Sequence, residues 1–192
     1  MLVAVVGPSG AGKDTLMDGA RAALAGDARF SFVRRAITRD ASAGGESHEA
    51  LSRGEFAARR DAGGFALWWE AHGLFYGIPI GVEATMAHGG VAVANLSRAV
   101  LTQAASRYRL LVLNITAPPA VLAARLAARG RESVEDVAAR LAREQQLPPG
   151  LEVATVMNAG SVADGVAAVV AMLNRAAADA RPAERAPQSP PG

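Results

Sequence analysis

Gly7-Pro8-Ser9-Gly10-Ala11-Gly12-Lys13-Asp14-Thr15 is the stretch that decides how this chain is read. It matches G-x-x-x-x-G-K and stands between an apolar run, Leu2 to Val6, and an amphipathic stretch, Lys13 to Leu24. Leu-Val-Ala-Val-Val reads as a strand buried on both faces, as in a parallel sheet. The following stretch reads as a helix with Leu16, Ala20, Ala23 and Leu24 on one face. Strand, glycine loop and helix in that order are the context in which the motif cradles phosphate. Glycines let the loop curl so that backbone N–H groups point inward, and the helix N-terminus adds its positive dipole end. Lys13 is placed to neutralise β- and γ-phosphates and is the first catalytic candidate. The nucleotide-binding candidates are Gly7, Pro8, Ser9, Gly10, Ala11, Gly12, Lys13, Asp14 and Thr15.

Composition narrows the rest. Lys13 is the one lysine among 20 basic residues, the others being arginine. A compact ammonium and a planar guanidinium are not interchangeable, so this lysine marks a place arginine does not fill. The net charge of +2 argues against a nucleic-acid partner. Absence of cysteine excludes a disulfide framework and thiolate chemistry. Met1 to Val6 runs into the loop without a signal-peptide pattern. No apolar run approaches the roughly 20 residues of a membrane span. The expectation is a cytoplasmic protein with no membrane partner.

Beyond the loop, the pattern predicts strands at 30–33, 91–94, 110–115 and 153–157. It predicts helices at 55–62, 82–88, 97–107, 118–129 and 162–175. Ser133-Val-Glu-Asp136 has the form of a capping box and predicts a helix over 134–145. Residues 40–49 are polar and glycine-rich, a loop. Residues 65–71 and 74–78 read as short strands around a turn at His72-Gly73. Alternating strands and helices predict an α/β fold, a parallel sheet with helices on both faces. The organisation expected is a single P-loop kinase domain over 1–175. It carries an inserted acceptor-binding subdomain at about 34–78 and a helical lid at about 125–145. An Ala-, Pro-, Arg- and Ser-rich tail, 176–192, is expected to be disordered.

The residue after the loop lysine is ordinarily Ser or Thr, whose hydroxyl ligates Mg²⁺. Here it is Asp14, followed by Thr15, and the strand at 91–94 leads to Asn95 rather than to an aspartate. A carboxylate is also a hard oxygen ligand, so Asp14 is the metal candidate. The competing reading is an acidic residue that only favours the helix N-terminus.

Several motifs, in order, resemble guanylate kinase: the glycine loop, Thr38-Arg39, Gly45-Glu46, Phe75-Tyr76-Gly77, Ala117-Pro118-Pro119 and Arg129-Gly130-Arg131-Glu132-Ser133. That resemblance implies a nucleoside-monophosphate-kinase fold with an arginine-bearing lid. The guanine-reading positions depart from it. Leu67 stands where a Glu is expected, Ile78 where a Ser is expected, and Ala94 and Leu96, with Asn95 between them, where acidic residues are expected. His48 replaces a tyrosine that helps hold the acceptor phosphate. Apolar replacements would leave a buried guanine edge unsatisfied, at about 1–3 kcal/mol per group.

The chain is more similar to the ribose 1,5-bisphosphate phosphokinase family, guanylate-kinase-like enzymes of phosphonate degradation. The similarity rests on Asp14 after the loop lysine, Phe32-Val33-Arg34-Arg35, Gly44-Gly45-Glu46 with His48, and Gly64-Phe65-Ala66-Leu67. Trp69-Glu70-Ala71-His72-Gly73, Tyr76-Gly77-Ile78-Pro79 and Ser97-Arg98 add to it. It implies transfer of the γ-phosphate of ATP, with Mg²⁺, to the 1-phosphate of a small phosphorylated sugar, ribose 1,5-bisphosphate. The product would be 5-phosphoribosyl 1-diphosphate.

A bisphosphate acceptor beside a triphosphate needs many positive donors, and guanidinium forks grip phosphate bidentately. Arg35 and Arg39 are the main acceptor candidates, with Arg34 and His48 assisting; a solvated arginine face is the alternative. Arg129, Arg131 and Arg140 are catalytic candidates in the lid, with Gly130 as hinge. Closure there would expel water, and ion pairing with Glu132, Glu135 and Asp136 competes. Asn158 contacts either adenine or the loop backbone. Glu70 and Tyr76, near His72, read ribose hydroxyls or serve packing and the turn. Trp68 and Trp69 point to opposite faces of a strand, one into the core. Two other functions remain open: another nucleotide kinase, and a non-catalytic guanylate-kinase-like binding module.

Overall fold

Leu2–Val6 forms β1, and all five of its residues are buried. Its side chains alternate between two cores. Val3 and Val5 face one, Leu2, Ala4 and Val6 the other, as a strand covered on both faces requires. A computed structural model describes residues 1–40, 47–127 and 146–180. The expected helix at 134–145, Gly44 to Glu46, and Arg129, Arg131 and Arg140 lie outside the described residues, as does the chain after 180.

After the glycine loop comes α1, Lys13–Ala23, then the edge strand β2, Phe30–Phe32. Further on lie α3 (Val82–Ala87), β7 (Val91–Asn95) and a 3₁₀ turn at Arg98–Val100. The chain continues through α4 (Leu101–Arg107), β8 (Leu110–Thr116) and α5 (Pro119–Ala127). It ends with β9 (Val153–Met157) and α6 (Val162–Asp179). The large sheet has the order β2-β7-β1-β8-β9, with every pairing parallel. Leu16 and Ala20 of α1, Leu122 of α5, and Val169 and Leu173 of α6 cover one face. Val82 of α3 and Leu101 and Ala104 of α4 lie on the other.

That second face also carries a smaller sheet, β4-β3-β6-β5. Its strands are β3 (Ala36–Ile37), β4 (Glu49–Ala50), β5 (Phe65–Ala71) and β6 (Leu74–Pro79). β5 and β6 form a hairpin on a two-residue turn in which His72 and Gly73 both have positive φ, 54° and 72°. Such a turn matches the strand twist. Leu67, Trp69 and Ile78 pack inward with Leu2, Ala4 and Val112 of the large sheet. On the outer face Phe56 of α2 (Arg53–Asp61) stacks on Phe65 and Phe75. Ser52 and Glu55 close a capping box at the start of α2.

The structure departs from the sequence expectations in three places. β3 and β4 are two residues each, too short to show a period, and β4 begins at the last residue of the stretch expected to be loop. The stretch 97–107 divides into a 3₁₀ turn and α4. The last helix continues to Asp179, four residues beyond the expected 175. Ala176 is buried there, and an alanine run is a strong helix former as well as a mark of low complexity. Among the described residues, no helix is long and apolar enough to cross a membrane.

Candidate active site

The glycine loop sits at the carboxyl end of β1, whose onward connection leads towards β2 while that of its neighbour β8 leads towards β9 at the other edge, the switch at which open α/β sheets bind ligands. Gly12 opens α1 in the left-handed region, φ 82°. A Cβ there would lie 2.6 Å from Asn158 Nδ2, and one at Gly7 would collide with the Ile115 carbonyl. The loop therefore has no room for side chains at these two points. Lys13 bends back over the loop, and its Nζ donates to Gly7 O at 2.6 Å and Pro8 O at 3.0 Å. The ammonium thus lies over the curl of backbone that would receive phosphate oxygens.

Asn158 is 6% exposed. Its Nδ2 donates to Ala11 O at 2.8 Å, and its backbone N–H donates to Thr116 O at 2.7 Å. Of its two readings, the structure realises the loop-backbone contact. Arg125 of α5 reaches Gly10 O at 3.4 Å, a second brace on the same loop.

Asp14 and Thr15 are exposed in the first turn of α1. Asp14, Asp18, Ser47 and Asn95 line one small cavity. Among the described residues no group of three His, Cys, Asp or Glu could hold a metal by itself. One or two hard oxygens beside a phosphate site suit Mg²⁺, which keeps waters and phosphate oxygens as its other ligands. Asp18 and Ser47 carry no motif of their own, and Asn95 is marked in the sequence only as the place where an aspartate is missing. Asp18 could have been found by its helical spacing, one turn after Asp14.

Away from the loop, the segments flanking β3 carry Arg34, Arg35 and Arg39, and two of these contact His48, just before β4. The Arg34 guanidinium donates to His48 O at 2.8 Å. His48 is 4% exposed. Its Nε2 lies 3.2 Å from Arg39 O and its Nδ1 3.4 Å from the Arg39 guanidinium. One tautomer satisfies both contacts: Nε2–H donates to the carbonyl and Nδ1 accepts from the guanidinium. His48 thus orients Arg39, whose Nε is a buried donor with no partner among the described residues.

Arg35 lies over the rings of Trp69 and Tyr76. Trp69 is buried and Trp68 is 40% exposed, so the inward tryptophan is Trp69. Glu70 does not join this group. Register pairs Trp69 with Tyr76 and Glu70 with Phe75, which puts Glu70 on the opposite face of the hairpin, exposed. The sequence grouping of Glu70 with Tyr76 fails because adjacent strand residues point to opposite faces. Trp69 was legible: a two-residue turn at 72–73 fixes 69 opposite 76.

The positions that read guanine in guanylate kinase are filled. Leu67, Ile78, Ala94 and Leu96 are 1%, 0%, 0% and 7% exposed and belong to one core. His72 forms the hairpin turn, and His88 Nδ1 bonds Ala84 O at the end of α3, so neither approaches the arginines through any contact described.

No family model matches the chain. A relative from Agrobacterium fabrum named ribose 1,5-bisphosphate phosphokinase PhnN is 47% identical over 183 residues, 94% of this chain and 100% of its own length. One of the same name from Brucella melitensis is 53% identical over 162 residues, 83% of this chain and 84% of its own. In structure the chain resembles guanylate kinase from Anaplasma phagocytophilum, with TM-score 0.64, 16% identity, and coverage of 91% of this chain and 84% of that one. The structural likeness carries the fold: a P-loop kinase core with a parallel sheet. The sequence likeness, 47% identity over 94% of this chain and the whole length of the Agrobacterium relative, makes the chain a member of the ribose 1,5-bisphosphate phosphokinase family.

Proposed function

We propose that this chain transfers the γ-phosphate of ATP to the 1-phosphate of ribose 1,5-bisphosphate, giving 5-phosphoribosyl 1-diphosphate and ADP, within phosphonate degradation. The observation that carries the reading is a division within the acceptor region. Leu67, Ile78, Ala94 and Leu96 are core residues with no polar group to offer a base. Arg39 is nevertheless hydrogen-bonded to His48, and Arg35 lies over Tyr76 and over Trp69, which shares that core. An acceptor with phosphates and no purine fits both facts.

An oxygen of the acceptor's 1-phosphate attacks the γ-phosphorus in line, and the bond to the β,γ-bridging oxygen breaks, so that ADP leaves. Such a transfer needs placement and charge neutralisation more than covalent help. Lys13 exchanges the Gly7 and Pro8 carbonyls for phosphate oxygens. Asp14 is the residue that would hold Mg²⁺, which supplies further neutralisation of the triphosphate when bound. Arg35 and Arg39 hold the acceptor, and Arg34 and His48 keep their segment in place. Arg129, Arg131 and Arg140 supply charge to the transferring group.

The test is product identification by phosphorus NMR with ATP, Mg²⁺ and ribose 1,5-bisphosphate. Formation of a 1-diphosphate, with little ADP release when GMP is the acceptor, supports the reading. Preference for GMP would make it a nucleotide kinase. Background turnover with every acceptor would make it a binding module.

A further inference from the structure

Ala36 and Ile37 of β3 pair with Gly77 and Tyr76 of β6. Thr38 and Phe75 come next in that register. Thr38 N–H donates to Phe75 O at 3.0 Å, as a hydrogen-bonded antiparallel pair requires. The return bond is different. Phe75 N–H donates to the Thr38 hydroxyl at 2.9 Å, where a continuing ladder would use the Thr38 carbonyl. A threonine side chain can stand in for a backbone acceptor in this way. The main chain is thus released from β6 at the residue before Arg39, while the Phe75 N–H keeps a partner. Beyond this exit the Arg39 carbonyl lies 3.2 Å from His48 Nε2, and the Arg39 guanidinium 3.4 Å from His48 Nδ1. Arg39 is therefore held from two sides, by His48 at its own polar groups and by Thr38 at the peptide that precedes it.

We propose that Thr38 is a positioning residue of the acceptor site: its hydroxyl latches the end of β3 to Phe75 of β6 where the chain leaves the sheet, and so sets the direction in which Arg39 meets a phosphate of the acceptor. A guanidinium fork grips phosphate bidentately only when the two are aligned. A latch one residue away narrows the backbone angles from which that long side chain starts. Less freedom is then lost when the ligand binds, which is how preorganisation raises affinity. Valine matches the shape of threonine without the acceptor, and serine keeps the acceptor without the methyl group, so the two separate the latch from packing. The inference deepens the proposed function and rests on it.

Steady-state kinetics on the full chain tests it, varying acceptor and ATP separately. Thr38→Val leaves the Phe75 N–H without its acceptor. It should raise KM for ribose 1,5-bisphosphate about tenfold, with KM for ATP and kcat within about threefold of the parent. Thr38→Ser should stay near the parent in all of these. Adding Thr38→Val to Arg39→Ala should leave the acceptor KM no worse than in Arg39→Ala alone, because the latch acts through the guanidinium that is gone. An unchanged acceptor KM in Thr38→Val, equal losses for both substrates, a Thr38→Ser protein as impaired as Thr38→Val, or additive losses in the double variant would overturn the proposal.

Should Thr38→Val not fold, Thr38→Ala removes the same hydroxyl and is read in the same way. If the parent turns over no ribose 1,5-bisphosphate, the proposed function falls, and the latch is then decided without a substrate. Arg39 Nε is a buried donor. Its N–H should give a proton–nitrogen NMR signal that exchanges slowly with water and that Arg39→Lys removes. Faster exchange of that signal in the variant lacking the hydroxyl, with recovery in Thr38→Ser, keeps the latch; a signal missing from the parent or indifferent to Thr38 removes it.

Discussion

Lys13 shows how much one side chain carries. Its two carbonyl contacts need a slim, rotatable ammonium, which a planar fork cannot mimic in the same space. Lys13→Arg is expected to lower kcat by roughly 10²–10³ while the melting temperature stays near the parent's. Asn158 makes the complementary case. Asn158→Ala would leave the Ala11 carbonyl without its donor, at about 1–3 kcal/mol, read from the urea midpoint, and would raise KM for ATP by loosening the loop. The lysine was legible because it is alone among arginines. Asn158 was legible only as two alternatives, since nothing in a linear pattern tells whether an amide after a strand faces ligand or backbone. Glu70 was grouped with Tyr76 for want of register, and Ser47 was missed because a shared cavity has no sequence spacing.

Helices and hairpins are the scale at which the sequence spoke most directly. β1, α1 and the β5–β6 hairpin follow from an apolar run, a period and a turn. Two-residue strands such as β3 and β4 exist only because a neighbour offers them hydrogen bonds. Capping makes a prediction here. The Ser52 side chain and backbone hydrogen bonds hold the Glu55 carboxyl below its usual range. A depressed folded pKa means stability present above the unfolded value and lost as pH falls through the folded one. Glu55→Gln should therefore flatten the fall in urea midpoint between about pH 5 and pH 3. Tyr108 acts in the opposite sense where α4 ends against α3. Burial, and then the 2.6 Å hydrogen bond its hydroxyl donates to Glu83, push its pKa up to about 12. Its contribution is complete below the ordinary tyrosine value of about 10 and is lost as pH rises towards the folded value. Tyr108→Phe should remove that alkaline loss.

Across the whole molecule the two sheets share one core, in which Leu67 and Ile78 of the smaller sheet meet Leu2, Ala4, Ala94 and Val112 of the larger. Truncating either, Leu67→Ala or Ile78→Ala, should cost about 2–5 kcal/mol and shift a single calorimetric transition, because neither sheet buries this face alone. Leu67→Glu should abolish folding yield rather than create a guanine reader, since it places a carboxylate among apolar side chains. The alternation of strands and helices foretold a parallel sheet. It did not foretell that β7 lies between β1 and β2, an order set by crossover connections and not by sequence adjacency.

The resting posture of Lys13 has a consequence for what the loop will accept. Its ammonium already has two carbonyl acceptors before any nucleotide arrives. An incoming triphosphate replaces those partners instead of supplying missing ones, so the profit of the exchange is Coulombic. Affinity for ATP should then decline with ionic strength, and uncharged look-alikes of the polyphosphate, however well they match its outline, would have nothing to trade.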